Sequence, residues 1–208
     1  MNSEKKFEWK QLPERNTGIW YNFLRKLILL AKYICFTKFI FQVPKKKIVI
    51  FDCEGLEIKD ALSDFNYFIL STRANKIKKI YFSKKILLFL FFNFFKKSLK
   101  QNYLIALIKE INPKIVITMI DNSEDFYIIS KYLSKDIKFM AIQRANRETK
   151  FQPIHVTKKI HIPEYLCFGN WDKNIYEKKT NLKSITPVGS TIASLPIINL
   201  KKKKIKNK

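Results

Sequence analysis

The stretch Ile48-Val49-Ile50-Phe51-Asp52 sets four apolar residues in a row, three of them β-branched, and ends them on an acid. A strand with one wet face alternates apolar and polar positions, whereas a strand covered on both faces reads as an unbroken apolar run. The stretch therefore predicts a central strand of a parallel sheet, with Asp52 at its carboxyl end. Working outward, similar runs follow at Tyr67 to Leu70, Ile115 to Ile120, Phe139 to Ile142 and Tyr165 to Phe168, and more weakly at Ile185 to Val188. Helical patterns lie between them at 84–111, 123–133 and near 171–178. Strands alternating with helices imply β-α-β crossovers, hence an α/β domain with a Rossmann-like, doubly wound parallel sheet over residues 47–192.

The flanks read differently. Residues 1–46 form a polar leader followed by an extra helix from about Ile19 to Phe41, with Thr17 as its cap and Pro44 as its stop. This helix is apolar on most of its surface. It can pack on the core, pair with another subunit in a homo-oligomer, or lie on a membrane surface through residues 19–43, where Trp20, Tyr21, Arg25 and Lys26 give an aromatic and basic edge. Residues 193–208 are a basic tail or the start of a second domain.

Composition limits the partners. The 208 residues are 47% hydrophobic, enough for a sizeable core, and carry a formal net charge of +24. Such a charge raises nucleic acid as a partner, but only five of the 41 basic residues are arginine, and the lysines run in pairs along the whole chain instead of along one stripe. Nucleic acid is therefore not the expected partner. Three cysteines without a Cys-x-x-Cys spacing suggest neither a disulfide framework nor a zinc site. The first fourteen residues hold no apolar export segment, and Ile86 to Phe95 falls short of the ~20 residues that span a bilayer. The expectation is a cytoplasmic protein, in reach of the inner membrane as a peripheral one.

In open parallel sheets ligands bind beyond the carboxyl ends of the strands. Asp52-Cys53-Glu54-Gly55 follows the first strand without Gly-x-Gly-x-x-Gly, and no Gly-x-x-x-x-Gly-Lys-Ser/Thr occurs. This counts against a nicotinamide dehydrogenase and a P-loop NTPase. Asp121-Asn122-Ser123 closes the run from Pro113; Asn122 or Ser123 can cap the next helix, and Asp121 can either complement its positive end or touch ligand. Gln143-Arg144-Ala145-Asn146-Arg147-Glu148 is the most polar strand end, and Arg73 falls on the same edge. Guanidinium forks suit an anionic ligand or an internal carboxylate. His155 and His161 have no partners at metal-ligand spacing, so no metal is expected, and either can serve as a polar loop residue or a base. Gly189 and Ser190 read as a turn into a linker, able to meet phosphate through backbone N–H groups.

The ordered set Pro113 to Phe126, Phe139 to Arg147, His161 to Gly169 and Val188-Gly189-Ser190, with Phe51-Asp52 and Thr72-Arg73 before it, resembles bacterial surface carbohydrate biosynthesis proteins. The resemblance covers most of residues 47–190. It implies the amino-terminal domain of a GT-B-type glycosyltransferase fold acting in polysaccharide or lipopolysaccharide synthesis, with a sugar or glycolipid acceptor. Where that family usually shows Gln-Asn-Gly, this chain has Gln143-Arg144-Ala145. Asp52, Asp121 and His155 are then the candidate general bases, and Arg73, Asn122, Gln143, Arg144, Arg147, Gly189 and Ser190 the candidate substrate contacts. No cofactor is expected on this side of such a fold; a nucleotide-sugar donor belongs to a carboxyl-terminal half. The expectation is thus an acceptor-side half that is inactive alone, or else a non-catalytic docking module of the same machinery.

Overall fold

A computed structural model describes residues 37–52, 58, 62–73, 77–94, 97–145, 164–179 and 184–190. The chain divides into two compact units, Met1–Lys38 and Phe39–Lys208, and the described residues belong almost wholly to the second. Their elements run β1 (Lys38–Ile40), β2 (Ile48–Phe51), β3 (Tyr67–Leu70), β4 (Lys79–Tyr81), α1 (Lys84–Asn93), α2 (Leu99–Ile111), β5 (Ile115–Thr118), α3 (Glu124–Leu133), β6 (Lys138–Ile142), β7 (Tyr165–Cys167), α4 (Asn170–Lys179) and β8 (Ile185–Pro187). Six strands form one sheet in the order β3-β2-β5-β6-β7-β8. Every neighbouring pair is parallel. The expected α/β domain with a parallel sheet is therefore present. From β2 the chain steps to β3 on one side, then crosses back to β5 and adds each later strand on the other side. The point of reversal lies between β2 and β5.

The strand pattern follows from burial on both faces. Val49, Phe51, Val116, Phe139 and Ala141 share a core with Ile86 of α1, Leu104, Ile108 and Ile111 of α2, and Phe126, Ile129 and Leu133 of α3. Their sequence neighbours Ile48, Ile50, Ile117 and Ile142 point the other way, into a second cluster with Ile58 and Met119. Successive side chains on a strand alternate faces, so a continuous apolar run is what a sheet with two covered faces requires. All four residues of β2 are buried, each worth about 1.5–3 kcal/mol relative to exposure.

Three expectations need correction. The helix expected to run through Phe41 is not one at its end: residues 38–40 form β1, while 19–36 lie outside the described residues. Phe39 stacks on Phe82 at 5.8 Å, and Ile40 O accepts a 2.8 Å hydrogen bond from Phe82 N. Pairing with a distant strand overrides the local helical pattern there. The partner strand β4 was not expected at all. Second, the helical segment 84–111 is two helices. Ser83 caps α1 and Ser98 caps α2. Between them Asn102 Nδ2 donates to Asn93 O at 2.6 Å, which satisfies a carbonyl at the end of α1 and lets the chain turn. Third, β5 ends at Thr118, two residues early, because Thr118 Oγ1 accepts from Ile120 N at 3.0 Å and draws the backbone out of the ladder.

Tyr103 of α2 leads to a test in alkali. Its hydroxyl accepts from Tyr81 N at 2.9 Å, and burial pushes its pKa up to about 12 from 10.0. Since the folded protein holds this proton more tightly than the unfolded chain, stability is intact below pH 10 and falls as pH rises toward 12, by on the order of 2 kcal/mol over that window. Tyr103→Phe is expected to flatten this decline, read as the thermal midpoint against pH. A decline as steep as the parent's would assign it to other groups.

Candidate functional site

Because the six strands are parallel, the residues following each of them gather along one edge of the sheet. Phe51 lies opposite Leu70 and Ile50 opposite Ile117, so Asp52, the Thr72-Arg73 turn and the Met119 to Ser123 turn end side by side at the point of reversal. Such crevices are where open α/β sheets bind ligands, because strand ends diverge there and leave a space between two loops.

Asp52 is the most constrained residue of this edge. Its φ is +49°, in the left-handed region that a residue with a Cβ seldom adopts and that Asp tolerates better than most. The bend is held by Asp52 N donating to Leu70 O at 2.8 Å. The residue is 7% exposed, and its carboxylate accepts from Thr72 N at 3.2 Å through one oxygen, while the other lies 3.6 Å from Arg73 Nε. The Arg73 side chain is 47% exposed. A carboxylate and an arginine singled out separately in the sequence thus form a single unit.

Asp121 sits deeper. It is 1% exposed; its Oδ2 accepts from the Tyr165 hydroxyl at 3.0 Å and its backbone carbonyl from the Tyr127 hydroxyl at 2.6 Å. Burial first, then the Asp121 carboxylate and Tyr176, push the Tyr165 hydroxyl far above the usual tyrosine range, so it stays a donor to Asp121. The role this geometry gives Asp121 is to fix the β5-α3 turn. Of the two candidate caps it is Ser123 whose hydroxyl accepts from Phe126 N, at 3.4 Å, and Asn122 is left exposed at the crevice.

Gln143 is 1% exposed and its amide is engaged at both ends. Oε1 accepts from Phe168 N at 2.9 Å; Nε2 donates to Asp172 Oδ1 at 3.0 Å and to Ala145 O at 3.3 Å. The side chain ties β6 to the start of α4. Arg144 beside it is exposed, whereas Arg147 and His155 lie outside the described residues.

No family model, curated protein or solved structure matches this chain. What the edge can do follows from its own geometry.

That geometry separates the candidates. At ~4.8 Å per strand step, β8 stands roughly 19 Å from β2, so Gly189 and Ser190 cannot share a small ligand with Asp52. The Gly189 N–H, which the sequence offered to a phosphate, donates to Phe168 O at 3.0 Å, and its φ of +78° is the left-handed turn that glycine allows. The structure therefore brings Asp52 and Arg73 together, places the turn that carries Asn122 after the neighbouring strand, and places Gln143 and Arg144 about two strand steps away. Cys167 adds no nucleophile: it is buried, and burial, then Asp172, push its thiol up. No cluster of three or more metal-ligating side chains occurs among the described residues.

The sequence pointed to Thr72 only as the neighbour of Arg73, and gave no site role to Tyr127, Tyr165 or Asp172. Asp172 carried a signal, as an acid in the first turn of a helix. Tyr165 carried none, since its partner is 44 residues away.

Proposed function

We infer that this domain binds a sugar at the crevice between β2 and β5, as the acceptor side of a GT-B-like glycosyltransferase of surface polysaccharide synthesis. The observation that carries the reading is Asp52: a nearly buried carboxylate, on a backbone bent to positive φ, held by Thr72 N and Arg73 at the point of strand reversal. Residues kept in sparsely populated backbone regions cluster at functional sites, where surrounding contacts over-determine them. A carboxylate is an acceptor only and therefore selects hydroxyl donors, of which a sugar offers several. Arg73, half-exposed beside it, suits a carboxylate or phosphate on the same ligand. The sugar class and the surface-glycan setting rest on the resemblance of the ordered strand-end segments described above.

In the transferase reading Asp52 takes the proton of the attacking hydroxyl as that oxygen bonds the anomeric carbon of the donor and the nucleoside diphosphate leaves. The donor would be held by a second domain of the same fold type. Asp121, engaged by Tyr165, serves the turn behind this base.

The test is saturation-transfer NMR on the chain with N-acetylglucosamine and glucose 1-phosphate as probes. Both are expected to bind, glucose 1-phosphate more tightly. Asp52→Asn, which keeps the shape and tolerates the left-handed backbone, is expected to weaken both at least tenfold, the scale of a lost hydrogen bond to a charged group. Arg73→Gln should weaken the phosphorylated sugar selectively. Transfer to neither sugar, or binding indifferent to both variants, overturns the reading.

A further inference from the structure

Among the described residues, one helix carries the largest group of exposed apolar side chains. On α1, Leu87, Leu88, Phe91 and Phe92 are 52%, 57%, 77% and 71% exposed, and Phe94 just beyond the helix is 56% exposed. Positions 87, 88, 91 and 92 share a face by helical spacing. The opposite face does the ordinary work of a helix: Ile86 is buried and Phe89 and Leu90 pack against the core. Single exposed apolar residues are common on soluble proteins, but four large ones on adjoining turns form a patch of the kind that meets a partner or a membrane.

Charge selects the occupant. Residues 65–109 contain ten lysines and arginines and no aspartate or glutamate. Lys84 and Lys85 stand exposed at the start of α1, where Glu110 accepts from the capping Ser83 hydroxyl; beyond its end Lys97 lies over the Tyr132 ring at 3.9 Å, and Lys100 pairs with Asp125 at 2.8 Å. A second copy of the chain would bring the same lysines face to face, each copy carrying +24. The apolar segment 19–36 of this chain carries Arg25, Lys26 and Lys32 and has the same sign. An anionic lipid surface complements both features: aromatic and aliphatic side chains enter the boundary of headgroups and acyl chains while lysines reach the phosphates. Ten residues of helix span ~15 Å, half of a bilayer core, so the helix lies on the membrane and not across it.

We propose that the outer face of α1, formed by Leu87, Leu88, Phe91 and Phe92 and rimmed by Lys84 and Lys85, seats this domain on an anionic membrane surface. The proposal is independent of the sugar site. It sets a different surface to work, and either can fail while the other stands.

The test is cosedimentation of the full chain with vesicles of phosphatidylcholine alone, and of phosphatidylcholine with about one third phosphatidylglycerol. Binding is expected to the anionic vesicles. The triple variant Leu87→Ser/Phe91→Ser/Phe92→Ser, which keeps every lysine, is expected to bind at least tenfold more weakly, and Lys84→Gln/Lys85→Gln several-fold more weakly. Hydrogen exchange of the unaltered chain supplies a readout that no folding defect can mimic: anionic vesicles should slow exchange over residues 84–94. Triple-variant binding equal to the parent's, or unchanged exchange over α1, overturns the proposal and moves the contact to another segment such as 19–36. A parent dimer that the triple variant converts to monomer, without vesicle binding, overturns it in favour of a self-interface.

Discussion

Gln143→Glu is expected to destabilise the domain by about 3–5 kcal/mol at neutral pH, the scale of an uncompensated buried charge. The substitution is nearly isosteric, and an oxygen remains to accept from Phe168 N. What changes is the other end of the amide. A donor 3.0 Å from Asp172 Oδ1 becomes a carboxylate oxygen facing a second carboxylate, both almost fully buried. Two like charges at that distance cannot both ionise cheaply, so the introduced acid is pushed above the ordinary carboxylate range. The sign of the pH dependence follows. A raised carboxyl pKa costs stability where the group must be ionised in the unfolded chain, and the cost is relieved as pH falls and one proton comes to be shared. Urea unfolding at neutral pH and at about pH 5, each referred to the parent at the same pH, should show the deficit shrinking on acidification. Gln143→Met removes all three hydrogen bonds without adding charge and should lose about 2–3 kcal/mol at either pH. If the two variants behave alike at both values, the amide is not bonded to Asp172 as described. The typical domain has only about 5–15 kcal/mol in all, so Gln143→Glu approaches the limit of what folds.

Phe126→Ala is the second large effect. The ring is fully buried and meets Phe51 at 5.5 Å, Tyr127 at 5.4 Å and Phe139 at 5.6 Å, each edge to face or nearly so. It therefore joins β2, β6 and the first turn of α3 beneath the crevice. Truncation removes the transfer free energy of the ring and leaves a cavity that three other rings cannot close, a loss of about 3–5 kcal/mol. Phe126→Leu retains most of the volume and should cost less than about 1.5 kcal/mol. Denaturant midpoints separate the two variants directly; a Phe126→Ala loss under about 1 kcal/mol would mean that the site collapses and that the aromatic cluster is not a rigid support. Because Phe51 leads into Asp52 and Ser123 caps α3 at Phe126 N, the same truncation should weaken sugar binding at temperatures where the variant is still folded.

How far each feature was legible in the sequence depends on the range of the interaction that produces it. β2 and β5 were readable because burial on both faces leaves a continuous apolar run, a property of neighbouring residues alone. β4 was not, since Lys79-Ile80-Tyr81 is only three residues long and opens on a charge, and β1 is the strand that lies beside it. The break between α1 and α2 hangs on Asn102 reaching back nine residues to the Asn93 carbonyl, a contact no periodicity announces. The edge of the sheet was readable as a place. The pairing of Asp52 with Arg73, the burial of Asp121 under Tyr165 and the full engagement of Gln143 were not.

The sequence by itself determined that this chain makes an α/β domain with a parallel sheet, and that its polar residues collect where the strands end. Both follow from local patterns: apolar runs, helical spacing, and an acid or arginine directly after a run. Only the tertiary structure decided the strand order, the position of the reversal between β2 and β5, and hence which of the strand-end residues stand together. It also decided that one face of α1 is exposed among the described residues. The physical reason is the same in each case. Strand order and the covering of a helix are settled by packing among segments tens of residues apart, and a hydrophobic pattern records that a face is apolar without recording what will lie against it.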